Sequence, residues 1–137
     1  MLSELIQLSF DKIMQTRSYT VVILGARGKR FAIYTDPSIG RTLQLHLTGA
    51  QKLRPLTHDL MMSIFNGLGV RVKQVVINDI QDTIYFARLF LEQQRADYQH
   101  IMEIDARPSD CITLALMFNA PVYCTEEVLE KTIPLEE

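Results

Sequence analysis

A chain of 137 residues with 47% hydrophobic side chains is long enough to enclose one core and too short for two. Its formal charge of −2 argues against a dedicated nucleic-acid coat, and no long apolar run is present, so no membrane span is expected. The average hides a division: residues 1–73 hold ten Lys and Arg against four Asp and Glu, and residues 74–137 hold four against twelve. Such a split favours a homo-oligomer, most simply a two-fold dimer, or an anion site in the basic half; scattered surface charge that mixes on folding is the plainer reading.

Met1-Leu2-Ser3-Glu4-Leu5 lacks the basic flank and apolar stretch of a signal peptide, so a cytoplasmic protein is expected. Residues 4–13 alternate apolar and polar and predict a strand. Residues 19–24 and 30–35 predict two more, joined through Gly25-Ala26-Arg27-Gly28-Lys29 as a hairpin. Gly28-Lys29 is not a phosphate loop, because Gly25 is too close and Arg30 stands where a hydroxyl would hold magnesium. Asp36-Pro37 opens a helix whose Ile39, Leu43 and Leu47 recur until Gly49.

Thr57 or Asp59 starts the next helix and Gly69 stops it, with Leu60, Met61, Ile64, Phe65 and Leu68 placed on its core face. Strands follow at 70–77 and 84–91, the second apolar on both faces except for Arg88 and therefore expected to be central. A strand at 98–104, a helix at 112–118 that is apolar all round, a strand at 122–124 and a short helix from Thr125 to Lys131 complete the chain. Cys111 and Cys124 lie in the predicted helix and strand and are expected to be buried free thiols, since no further Cys or His pair completes a zinc site. The order is β-β-β-α-α-β-β-β-α-β-α, an α+β single domain over residues 1–137 with mixed, mainly antiparallel sheets.

Two segments repeat. Arg54-Pro55-Leu56-Thr57-His58-Asp59 and Arg107-Pro108-Ser109-Asp110 each open an apolar stretch, and Phe65-Asn66 and Phe118-Asn119 follow at the same offset of fifty-three positions. A β-branched run comes next in both, so a duplicated hairpin-loop-helix-strand unit is expected. Pro55 should then superpose on Pro108 and Phe65 on Phe118, both phenylalanines being largely buried.

If the two loops converge, they gather the parts that phosphodiester cleavage needs. Asp105 and Asp110 are candidate carboxylates for a divalent cation such as Mg2+, and His58, beside Asp59, is a candidate base. Arg54 and Arg107 can neutralise a phosphate, with the hydroxyls of Thr57 and Ser109 as further contacts. The same residues also suit helix capping and Arg–carboxylate forks, which defines a second reading, a noncatalytic binding or regulatory module. Location separates the two: one open cleft favours catalysis, and burial with mutual pairing favours structure.

Arg54-Pro55-Leu56-Thr57-His58-Asp59-Leu60, Tyr85-Phe86-Ala87-Arg88-Leu89, Ile104-Asp105-Ala106-Arg107-Pro108-Ser109-Asp110, Leu114-Ala115-Leu116 and Ala120-Pro121-Val122-Tyr123 together resemble the bifunctional nuclease domain family over about residues 53–130. Before residue 50 the chain departs from it. The family has a Leu-Pro-Ile strand, an Ile-Gly turn and a Glu-Ala helix start where Phe31-Ala32-Ile33-Tyr34-Thr35-Asp36-Pro37-Ser38 stands here, so a role for that glutamate does not carry over. The resemblance implies an α+β domain, usually oligomeric, with nuclease activity on both RNA and DNA. It implies no agreed mechanism.

Overall fold

Positive φ at Arg27 and Gly28 (51° and 75°) closes the hairpin between residues 20–26 and 29–35 with a two-residue turn whose twist matches that of the strands it joins. The computed structural model describes residues 4–135; residues 1–3, part of the segment on which the signal-peptide expectation rests, lie outside the described residues. The elements are β1 (Leu5–Gln15), β2 (Thr20–Ala26), β3 (Lys29–Thr35), α1 (Pro37–Thr48), α2 (Thr57–Gly67), β4 (Val70–Gln81), β5 (Ile84–Arg95), β6 (Tyr98–Ala106), α3 (Pro108–Phe118), β7 (Val122–Thr125) and α4 (Glu126–Lys131). Their order is the predicted one. One seven-stranded sheet results, β3-β2-β1-β7-β4-β5-β6, with every pair antiparallel except β4 and β7. Among the described residues no helix is long and apolar enough to cross a membrane.

Asp36 caps α1 by accepting from the backbone N–H of Ser38 and Ile39, Pro37 follows inside the first turn, and Gly49 ends the helix in the left-handed region (φ 67°). Gly40 faces the sheet. A Cβ there would collide with the Gln15 side chain and the Thr20 hydroxyl, which hydrogen-bond each other at 2.8 Å, so the missing side chain lets α1 settle onto β1 and β2. α3 is buried on nearly every side, from Cys111 to Ala115, and forms the centre of the core together with Val75, Ile77, Ala87 and Leu89. Cys111 and Cys124 are both buried and free, and burial pushes the Cys111 thiol up to about 12.

Expectations about the burial of β5 and α2 are corrected. β5 is not buried on both faces: Ala87, Leu89 and Leu91 are sealed, but Phe86, Arg88 and Phe90 on the other face are only half-covered, and the single strand β6 lies between β5 and the edge of the sheet. An apolar run thus marked one fully covered face and one apolar but open face. On α2, Met61 and Phe65 pack against the core, whereas Leu60, Ile64 and Leu68 are 56%, 49% and 61% exposed. α2 leans on the rest of the molecule along one side, and the Leu60, Ile64 and Leu68 stripe turns away from it.

The loop-helix-strand repeat is present. His58 meets Asp110 at the N-terminal ends of α2 and α3, and the rings of Phe65 and Phe118 lie 6.0 Å apart toward their C-terminal ends, so the helices run side by side in the same direction. The strands that follow are parallel, with Val75 opposite Val122 and Val76 opposite Tyr123. The alignment of the copies is displaced at the helix starts. Pro108 is the first residue of α3, but Pro55 precedes Thr57, the first residue of α2, by two positions. The local cause is Asp59, whose carboxylate accepts from the Leu56 N–H at 2.8 Å and delays the start of α2. Phe65 and Phe118 are half-buried rather than largely buried, each screening the other.

Candidate functional site

His58, the second residue of α2, is nearly buried, with its side chain 7% exposed. Its Nε2 lies 2.9 Å from Oδ1 of Asp110, in the first turn of α3. The other oxygen of Asp110 accepts from Nε of Arg107 at 3.0 Å. Arg107 is the N-cap residue of α3; its side chain is 66% exposed and stands 4.0 Å from Asp36, the cap of α1. One polar line, His58–Asp110–Arg107–Asp36, therefore ties together the starts of three helices.

The electrostatics follow from that line. The hydrogen bond from His58 holds Asp110 below the usual carboxylate range, burial opposes this, and Arg107 adds to the lowering. Asp110 in turn holds the Arg107 guanidinium above its ordinary value. An ionised carboxylate only accepts, so the proton between the pair belongs to Nε2 of His58. Nδ1 makes no hydrogen bond among the described residues. A neutral histidine oriented by a carboxylate can act as a general base.

The other predicted residues go elsewhere. Asp59 accepts from Lys52 Nζ at 2.8 Å and 2.9 Å; burial pushes its carboxyl up, but Lys52 and the Leu56 N–H more than offset this and lower it. Thr57 is exposed at the start of α2, and Arg54 is exposed with no partner among the described residues. Ser109 is buried beside Arg107, its carbonyl accepting from the Thr113 hydroxyl at 2.8 Å. Asp105 lies on β6 with its side chain 76% exposed and 3.5 Å from Arg88. Asp105 and Asp110 are thus each engaged by a different cation, and among the described residues no group of three or more His, Cys, Asp or Glu is arranged to hold a metal ion.

Arg107 also opens onto a cleft of about 620 Å3 between β3, the β4–β5 turn, the start of α3 and the segment after α4. Ser109, Tyr34, Tyr85 and Lys131 share its lining. The tyrosines and Lys131 escaped the sequence reading because they sit at ordinary alternating strand and helix positions, far apart in the chain. A buried carboxylate, Glu92, was equally hidden; Arg71 holds it from the neighbouring strand at 2.8 Å and 3.0 Å.

A family model described as the bifunctional nuclease domain matches residues 21–135. The match begins within β2, so the β2–β3 hairpin and α1 belong to the family unit although their residues depart from its motifs. In Mycobacterium tuberculosis the uncharacterized proteins Rv1829 and MT1877 are each 32% identical to this chain over 120 residues, which cover 86% of it and 69% of the relative. Fold, motifs and family match agree: the chain belongs to the bifunctional nuclease domain family.

Proposed function

We propose that this chain is a nuclease that hydrolyses RNA and DNA phosphodiesters without sequence preference. The observation that carries the reading is the 2.9 Å bond between His58 and Asp110, with Arg107 on the same carboxylate; family membership supports it. Asp110 fixes the ring, and Nδ1 of His58, which makes no hydrogen bond among the described residues, takes a proton from water. The water oxygen attacks phosphorus, the bond to the leaving oxygen breaks, and solvent protonates that oxygen. Arg107 neutralises the charge that grows on the phosphate. Arg54, exposed and unpartnered among the described residues, suits contact with the backbone of the bound strand. Asp59 serves the start of α2 by accepting from the Leu56 N–H.

The division of charge and the open stripe of Leu60, Ile64 and Leu68 on α2 support a second copy of this chain as its partner, in a two-fold dimer. A second functional reading rests on one observation: His58, Asp110 and Arg107 are mutually paired, and His58 is nearly buried. In that reading they staple helix starts, and the domain binds without cleaving. Cleavage of a labelled single strand by wild type, Asp110→Asn and Asp105→Ala, purified identically, separates the two. Loss confined to Asp110→Asn supports the nuclease, and equal activity in all three preparations supports the staple.

A further inference from the structure

We infer that the cleft beside Arg107 is a subsite for one nucleobase of the substrate strand, the base lying against Tyr34 and Tyr85 while its phosphodiester meets Arg107. This rests on the nuclease reading and extends it to how the strand is held. At about 620 Å3 the cleft falls within the range of about 300–1,000 Å3 typical of small-ligand pockets. Ile33, Ile80, Ile84 and Ile133 give it aliphatic walls for the faces of a planar ring, and Thr35, Thr83 and Ser109 are polar groups that can meet the ring's edge.

The two tyrosines differ in a useful way. Tyr85 is backed by Phe31, the rings stacked at 6.0 Å, so one wall is rigid. Tyr34 is 65% exposed and touches Tyr19 edge-on at 5.4 Å, which leaves an aromatic ring on the surface that the core does not need. Stacking on such rings accepts any base, in keeping with cleavage without sequence preference.

Charge narrows the ligand further. Arg107 and Lys131 are balanced by Asp36 and Asp82. Lys131 is already bound to Glu127 at 2.9 Å, and Asp36 is occupied by the start of α1. Arg107 is bonded to Asp110 through Nε alone, which leaves the terminal nitrogens of its exposed guanidinium for a phosphate. That suits a single phosphodiester and offers little to a polyphosphate.

The test titrates the full chain with adenosine 5′-monophosphate, ribose 5-phosphate and adenosine 5′-triphosphate by calorimetry, and measures oligonucleotide cleavage for wild type, Tyr34→Ala and Ile84→Glu. Both substitutions are at exposed positions and spare the fold. The monophosphate should bind more tightly than ribose 5-phosphate and no more weakly than the triphosphate, and either substitution should abolish the advantage. KM for the oligonucleotide should rise on the order of five- to a hundred-fold with kcat nearly unchanged. Equal binding of the monophosphate and ribose 5-phosphate, or a KM that neither substitution moves, overturns the subsite while leaving the nuclease reading intact. Tyr34-dependent binding without cleavage by wild type upholds the subsite and overturns the nuclease.

Discussion

His58 and Asp110 stand 52 positions apart in the chain and share a 2.9 Å hydrogen bond where two parallel helices begin. Each belongs to one copy of the repeated loop-helix-strand unit, so the bond links the copies at one end as Phe65 and Phe118 link them at the other. Removing either partner strands the other in a poorly hydrated place. Asp110→Ala and His58→Ala should each destabilise by about 1.5–3 kcal/mol, the range for hydrogen bonds to charged groups. The double variant should lose less than the sum, with a coupling of about 0.5–3 kcal/mol by urea denaturation. Additive losses would mean that the bond does not form in solution.

The lowered carboxyl of Asp110 makes part of this stability depend on acid. A carboxylate whose native value lies below its unfolded value stabilises the fold above the ordinary range, near 3.8, and loses that contribution as pH falls through the native value. Wild type should therefore lose stability below pH about 4. Asp110→Asn should be less stable at neutral pH and show a flatter acid limb, measured by melting temperature against pH. Parallel curves for the two proteins would contradict the assignment.

Asp105 is the residue whose expected importance changes most. Exposed and 3.5 Å from Arg88, it resembles a surface ion pair, worth about 0–1 kcal/mol. Asp105→Ala should melt within a few degrees of wild type and keep cleavage within a few-fold, at any divalent-cation concentration that supports the wild type. A collapse of activity with an unchanged fold would return Asp105 to the chemistry.

If α2 docks a second copy, Leu60→Glu combined with Ile64→Lys should yield monomers. Both side chains are exposed, so stability within the monomer should move by about 0.5 kcal/mol or less each. Sedimentation at micromolar concentration distinguishes the outcomes; an unchanged dimer would place the interface elsewhere, and a monomeric wild type would leave the charge division as surface variation.

Periodicity and turn chemistry revealed the order of all eleven elements, because Asp36-Pro37, Gly49 and the alternating strands are local signals. The meeting of His58 with Asp110 and Arg107 was legible only through the repeat, which told that two distant loops should converge. What stayed hidden depends on which neighbours an element acquires. Leu60, Ile64 and Leu68 are as apolar as Met61 and Phe65, and only the single-sided packing of α2 decides which are covered. Asp105 and Asp110 are close in sequence, yet a strand followed by a helix turns one toward Arg88 and the other toward His58. Tyr34, Tyr85 and Lys131 come from three elements, and no spacing joins them into a cleft.

The most direct test of the central claim is the single-turnover rate of a labelled RNA strand with wild type and His58→Ala, purified identically, with melting temperatures taken on the same samples. As general base, His58 should supply about 10²- to 10⁴-fold of the rate, so the variant should lose at least a hundred-fold while remaining folded at the assay temperature. A folded His58→Ala protein that cleaves at the wild-type rate would contradict the account and leave His58, Asp110 and Arg107 as a staple between helices.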